Sequence, residues 1–259
     1  MKKYLITTLL IAAAVITAKA QEFKIAKSSG KLIINLSSAR IEGTTGNEII
    51  FSTTNTRPDM DERAKGLRPI SGSGFQDNTG LGINVNDAGG TIEVNQVTQR
   101  NRNITIRVPK GVSIVYKYDK SESGKVYFKN IESEIEVSTQ QNSVDLENVT
   151  GPLSVKVVNG SVDARFSTVI KGPISIACIN GHVDVALPAA TKANLKLNTN
   201  HGEILASSDF KIEMDKKPES EMISYSNKVQ GKLNGGGADI TLSSTNNKIY
   251  LRTTEQAKP

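Results

Sequence analysis

Leu153, Ile174 and Leu195 lie 21 residues apart, as do Val155, Ile176 and Leu197, and Val162, Val183 and Ile204. A short apolar unit recurring at such a period cannot bury its hydrophobic face alone. It must stack on its neighbours as coils of parallel β-strand. A second spacing runs inside each unit: Ile135 leads to Val144, Leu153 to Val162, Ile174 to Val183, Leu195 to Ile204, and Ile240 to Ile249, nine residues each time. From coil to coil the step is 18 residues from Val144 to Val162 and 21 afterwards, with the extra residues absorbed by a bulge before Gly172-Pro173. The expected fold is all-β: a single-domain parallel β-solenoid, β-helix-like, with short two-strand coils of about 18–21 residues.

Strand alternation assigns the faces. Leu153, Val155 and Val157 point inward, with Ile174, Ile176 and Cys178 below them. Val162, Ala164 and Phe166, then Val183, Val185 and Leu187, point inward from the opposite side. Gly151-Pro152 and Gly172-Pro173 mark one corner, and Asn159-Gly160 and Asn180-Gly181 the other. Asn and Gly tolerate left-handed backbone, which such corners are expected to use. Ile240–Leu242 and Lys248–Arg252, less apolar at the outer end, read as a closing cap.

Residues 1–20 read as a cleaved secretory signal: Lys2 and Lys3, an apolar run from Leu5 to Thr17, and Ala18-Lys19-Ala20 before Gln21. The apolar run is short for a membrane span. No cysteine stands at the cleavage site, so a lipoprotein is not expected. The remainder, 21–259, is expected as one domain. Its part 21–122 is irregular, with a long charged and Gly-rich loop at 57–90; 123–254 is the regular array, with an insertion at 208–230. Three of the 32 basic residues lie in the signal, so the mature chain balances 29 basic against 26 acidic side chains. With no tryptophan and no basic cluster, a nucleic-acid surface is not expected. The single cysteine, Cys178, allows no internal disulfide and reads as a small buried hydrophobe.

The phrases V-N-G-S-V-D-A, I-N-G-H-V-D-V and G-K-L-N-G-G-G-A-D-I-T-L-S-S-T-N-N-K-I-Y-L-R resemble a bacterial β-strand-repeat family of unknown function whose members are labelled adhesins. The resemblance covers roughly residues 105–254. It implies a β-solenoid and a secreted or envelope location, often in Bacteroidetes. It brings no catalytic residues and no defined ligand.

One outward column carries chemistry: Asp145, Asp163 and Asp184, one per rung. Rungs are about 4.8 Å apart. Carboxylates that close repel by roughly 1 kcal/mol in water and about 3–4 kcal/mol at an intermediate dielectric. Arg165, Lys156, Lys171 or solvent could offset the repulsion. So could a divalent cation, which makes the three aspartates cation or ligand candidates. A glycan-active hydrolase or lyase could use the same column, although no aromatic side chain is expected beside it for sugar stacking. His182 shares an outward column with Ser161 and Glu203, and His201 a corner column with Asn159 and Asn180; Ser161, His182 and Asp184 make a poor triad. The glycines at 72, 74, 80 and 82 have no strand-to-helix context for a phosphate loop.

No catalytic site, cofactor or committed metal site follows. The leading expectation is a non-enzymatic secreted or envelope protein that binds a glycan, a cell-surface component or an envelope protein, or serves a structural role. The alternatives are an enzyme acting through the aspartates and an envelope scaffold or sensor without its own ligand.

Overall fold

A computed structural model describes residues 21–54, 62–98, 103–166, 170–215 and 227–257. The expected signal peptide, most of the charged start of the 57–90 loop, and the Pro218 part of the insertion lie outside the described residues. In chain order the strands are β1 (Gln21–Ala26), β2 (Ser29–Asn35), β3 (Ala39–Thr44), β4 (Glu48–Thr53), β5 (Ile83–Ala88), β6 (Thr91–Gln96) and β7 (Thr105–Pro109). Next come β8 (Gly111–Tyr118), β9 (Gly124–Lys129), β10 (Ile135–Thr139), β11 (Asn142–Glu147), β12 (Leu153–Val157), β13 (Val162–Arg165) and β14 (Ile174–Cys178). The remainder are β15 (Val183–Leu187), β16 (Ala193–Thr199), β17 (Ile204–Ala206), β18 (Ile212–Met214), β19 (Lys228–Leu233), β20 (Ala238–Ser244) and β21 (Ile249–Thr253).

They form two sheets. Sheet A runs β1-β4-β7-β3-β9-β11-β13-β15-β21-β17, and sheet B runs β18-β19-β16-β20-β14-β12-β10-β8-β2-β6-β5. The rungs from β6/β7 to β16/β17 pair in parallel, so the chain is an all-β solenoid. Antiparallel pairs close both ends: β1–β4–β7 and β5–β6 at one, β16–β19–β18 at the other. The predicted registers hold through the centre, with Val144, Val162 and Val183 aligned on sheet A and Leu153 and Ile174 on sheet B. The inward residues fill one continuous core, in which Val155, Val162, Phe166, Ile176, Val183 and Leu187 are almost fully buried.

The order of the rungs differs from the order of the repeats. The Leu195 strand does not pair with the Ile174 strand. Ile240 of β20 sits between them, aligned with Ile174 on one side and Leu195 on the other. On sheet A, Ile249 likewise separates Val183 from Ile204. The closing segment is therefore an inner rung rather than the cap. The outer rung is β16/β17, and its sheet B edge is covered by β19 and β18, both within or adjoining the stretch expected as an insertion. The amino-terminal half mirrors this. The first coil, β2/β3, is inserted between β8/β9 and β6/β7. The stretch expected to be irregular contributes β1 to β8 to the same two sheets, and β5 occupies the end of the expected long loop.

The corners also differ in cause. Asn159-Gly160 and Asn180-Gly181 are not left-handed; positive φ occurs instead at Asn130, Asn148 and Gly151. Gly181 is needed because the rungs touch there: a Cβ would lie 1.8 Å from the Gly160 carbonyl oxygen. The asparagines form a ladder, with Asn180 Nδ2 donating to Asn159 Oδ1 at 2.6 Å and Asn246 Nδ2 to Asn180 Oδ1 at 2.7 Å. Asn246 comes next in this column, and His201 follows it one rung further on, with its N–H donated to the Thr245 carbonyl at 2.9 Å.

Candidate ligand-binding face

The three aspartates stand in one column, since β11, β13 and β15 pair in register. The same register places Tyr127 before Asp145 and Tyr250 after Asp184. The column therefore has aromatic side chains at both ends, against expectation. Tyr127 falls outside the 21-residue repeat, and Tyr250 joins the column only because β21 inserts after β15. A groove of about 540 Å³ runs over this face, lined by Arg40, Tyr127, Asp145, Asp163, Asp184 and Arg252 among others.

Each carboxylate already has a basic partner, and none is one of the three expected. Lys125 Nζ lies 2.7 Å from Asp145. Arg252 grips Asp184 with two bonds of 2.8 and 2.7 Å. His182 Nε2 is 3.0 Å from Asp163. Lys171 instead pairs with Glu132, and Lys156 projects from sheet B. The cations also serve the rings: Lys125 and Arg40 lie 5.0 and 4.9 Å from the Tyr127 centroid, and Arg252 lies 5.3 Å from that of Tyr250. Among the described residues no group of three or more His, Cys, Asp or Glu side chains has a metal-holding arrangement.

The environments push the carboxyl groups apart. Burial raises Asp145 and Asp184 above the usual carboxylate range despite their partners. The hydrogen bond from His182 lowers Asp163, and the same bond raises His182. Ser161 Oγ lies 3.0 Å from His182 Nδ1, so the chain Ser161–His182–Asp163 is hydrogen-bonded. The acid in it is Asp163, not Asp184. It lacks the donors an acyl-transfer serine needs. The N–H of Ser161 is donated to Ser143 Oγ and that of Val162 to the His182 carbonyl. Cys178 is 3 % exposed and its thiol is pushed up to about 12 by burial, as befits a packing residue.

The His182–Asp163 pair makes stability depend on pH. The raised histidine contributes fully below its ordinary value of 6.5 and loses that contribution as pH rises through its folded value. The lowered aspartate contributes above its ordinary 3.8 and loses it as pH falls through its folded value. Asp184 also faces the histidine and favours its charge, whereas Arg252 opposes it. His182→Gln should therefore lower the melting temperature more at pH 5 than at pH 8. Both side chains are more than a third exposed, so the difference should be only about 0.5 kcal/mol. Equal losses at the two pH values would show that the pair is not coupled to folding.

The family described as Toastrack DUF4097 matches residues 116–252. Two crystal structures are similar in build. One is of a "putative cell adhesion protein" from Clostridium sporogenes ATCC 15579, 15% identical, with a TM-score of 0.42, covering 91% of this chain and 100% of that one. The other is of a "putative adhesin" from Bacteroides fragilis NCTC 9343, 12% identical, with a TM-score of 0.39, covering 91% of this chain and 97% of that one. At those scores the likeness carries no argument about ligands. No curated protein matches the sequence.

Proposed function

The chain belongs to the Toastrack DUF4097 family over more than half its length, and from that membership we propose a non-enzymatic, exported binding protein, folded as one unit from residue 21. Its ligand is a glycan of the cell surface or envelope, held in the groove over sheet A. The signal-like residues 1–20 support export. The observation that carries the reading is the groove itself: Tyr127 lines one end beside a row of carboxylates whose charges are already matched. Such a surface offers an aromatic platform and many oriented hydrogen-bonding groups without net charge to discharge, which suits a neutral polyol.

The test is glycan-array binding by the mature chain from Gln21, with and without calcium. Binding should survive calcium removal, because Lys125, His182 and Arg252 occupy the positions a cation would take. It should fall about ten-fold in Tyr127→Ala, as expected for losing one buried aromatic contact. Calcium-dependent binding abolished by Asp163→Asn would instead make the column a cation site.

A hydrolase reading has one observation in its favour. Asp145 and Asp163 are neighbours with oppositely shifted pKa values, as acid and nucleophile would be. Against it, both carboxylates are already engaged by cations of the chain, Asp145 by Lys125 at 2.7 Å and Asp163 by His182 at 3.0 Å. Release of reducing ends from a bound glycan, lost in Asp163→Asn, would establish the hydrolase.

A further inference from the structure

The two outer faces of the solenoid treat charge differently. On sheet A the ions are zipped together: Lys125 with Asp145, Lys129 with Glu147 and Arg252 with Asp184, with further pairs toward both ends. On the outer face of sheet B no ion pair occurs among the described residues. Lys117, Lys156, Lys196, Lys228 and Lys232 all project from that face, all are exposed, and none forms an ion pair with a described residue.

Their placement follows from the register. Lys196 on β16 stands opposite Gln230 on β19, so Lys228 and Lys232 lie diagonally on either side of it. Diagonal neighbours in an antiparallel pair are about 7–8 Å apart, near enough for three like charges to repel. Lys156 is three rungs away along the sheet, and Lys117 two rungs further. Between them run small hydroxyl side chains: Ser154, Ser175 and Thr241 align in one column, ending on Lys196. Among the described residues four acids stand near this strip: Asp239 accepts a hydrogen bond from Asn194, Glu213 stands across from Lys232 on the edge strand, Asp215 follows it beside Gln230 between Lys228 and Lys232, and Glu136 lies beyond Ser154. From β10 to β19 no aromatic side chain projects outward.

We propose that the outer face of sheet B, from β8 to β19, is a docking face for an acidic polysaccharide lying along the solenoid axis. The lysines hold its carboxylates, and the Ser154–Ser175–Thr241 column hydrogen-bonds its hydroxyls. Charge complementarity selects a polyanion, because five cations on one face have no ion-pair partner among the described residues. The hydroxyl column and the missing aromatics select a sugar polymer over a nucleic acid, whose bases need stacking platforms. A sugar unit in an extended chain is comparable in length to one rung, so charges and hydroxyls repeat in step with the strands. This face is separate from the groove over sheet A, and the proposal stands whether or not that groove binds anything.

The experiment uses the mature chain and polygalacturonate, read by calorimetry over a salt series, with uncharged dextran and polyphosphate as comparison probes. The triple variant Lys196→Gln, Lys228→Gln, Lys232→Gln should bind polygalacturonate about ten-fold more weakly or worse. Its log–log salt slope should be shallower and its melting temperature unchanged. Tyr127→Ala should bind polygalacturonate normally, which separates this face from the groove. Unchanged binding by the triple variant, or equal binding of dextran, would overturn the proposal. So would tighter binding of polyphosphate, which would mean that charge alone is read. Aggregation of the triple variant with normal binding by its monomer would also overturn it, since the lysines would then only guard the open edge of β19.

Discussion

Gly181→Ala is expected to destabilise the protein by about 3 kcal/mol or more, a large fraction of a typical domain's stability. The reason is contact between backbones rather than backbone conformation. The new Cβ would sit 1.8 Å from the Gly160 oxygen and 2.4 Å from its carbonyl carbon. Neither strand can yield cheaply. Asn180 N donates to the Val158 carbonyl at 2.9 Å and Val162 N to the His182 carbonyl at 3.0 Å, locking the two corners together. Cys178 Sγ reaches the same Gly160 carbonyl. The control is Gly72→Ala, where nothing lies within 4 Å and φ is not positive. That change should stay within about 0.5 kcal/mol of wild type. Urea denaturation of the two variants decides the matter, and equal midpoints would mean that the rungs are not packed this closely.

A chain ending at Gly237 should lose its cooperative folding transition. In a solenoid whose rungs follow chain order, removing the final coil trims an end and leaves the rest standing. Here it removes β20 and β21 from between β14/β15 and β16/β17. Ile240, Leu242, Ile249 and Leu251 are all 1% exposed or less. At about 1.5–3 kcal/mol for each buried side chain they contribute roughly 6–12 kcal/mol. That is comparable with the whole net stability of a domain, about 5–15 kcal/mol. Thermal melts of the mature and shortened chains followed by circular dichroism give the answer. A sharp transition near the full-length temperature would mean that β16 closes up directly on β14, in the register the 21-residue repeat already allows.

Much of the site was legible because strand alternation and a constant period place side chains without knowledge of the rest. The Asp145–Asp163–Asp184 column follows from that arithmetic, and the structure keeps it. Its surroundings were not legible. Lys125 is two residues from Tyr127 on β9, and Arg252 comes from a strand 68 residues beyond Asp184 in sequence. Neither is repeated, so no period reveals them. The hydrogen bond from His182 to Asp163 was missed for a related reason. Register puts His182 beside Ser161, and only the lean of the ring along the strand brings it to the acid of the neighbouring rung. The corner glycines show the same limit. Their positions were readable, but whether a glycine serves a left-handed turn or a close approach depends on the neighbouring backbone, which the local sequence does not contain.

By itself the sequence determined the period, the inward faces, the strand pairs within each coil and the parallel build. These are local properties, set by which side chains alternate and where a chain can turn. Tertiary structure alone decided the order in which the rungs stack. Any parallel strand edge offers the same ladder of N–H and C=O groups, so β20 can satisfy β14 as well as β16 could. What separates the choices is non-local: antiparallel β19 and β18 cover one end, β1, β4 and β5 close the other, and the first and last coils are thereby held one rung inside. That ordering brings Tyr250 and Arg252 to the aspartates and, with the β16–β19 pairing, gathers Lys196, Lys228 and Lys232 on one face.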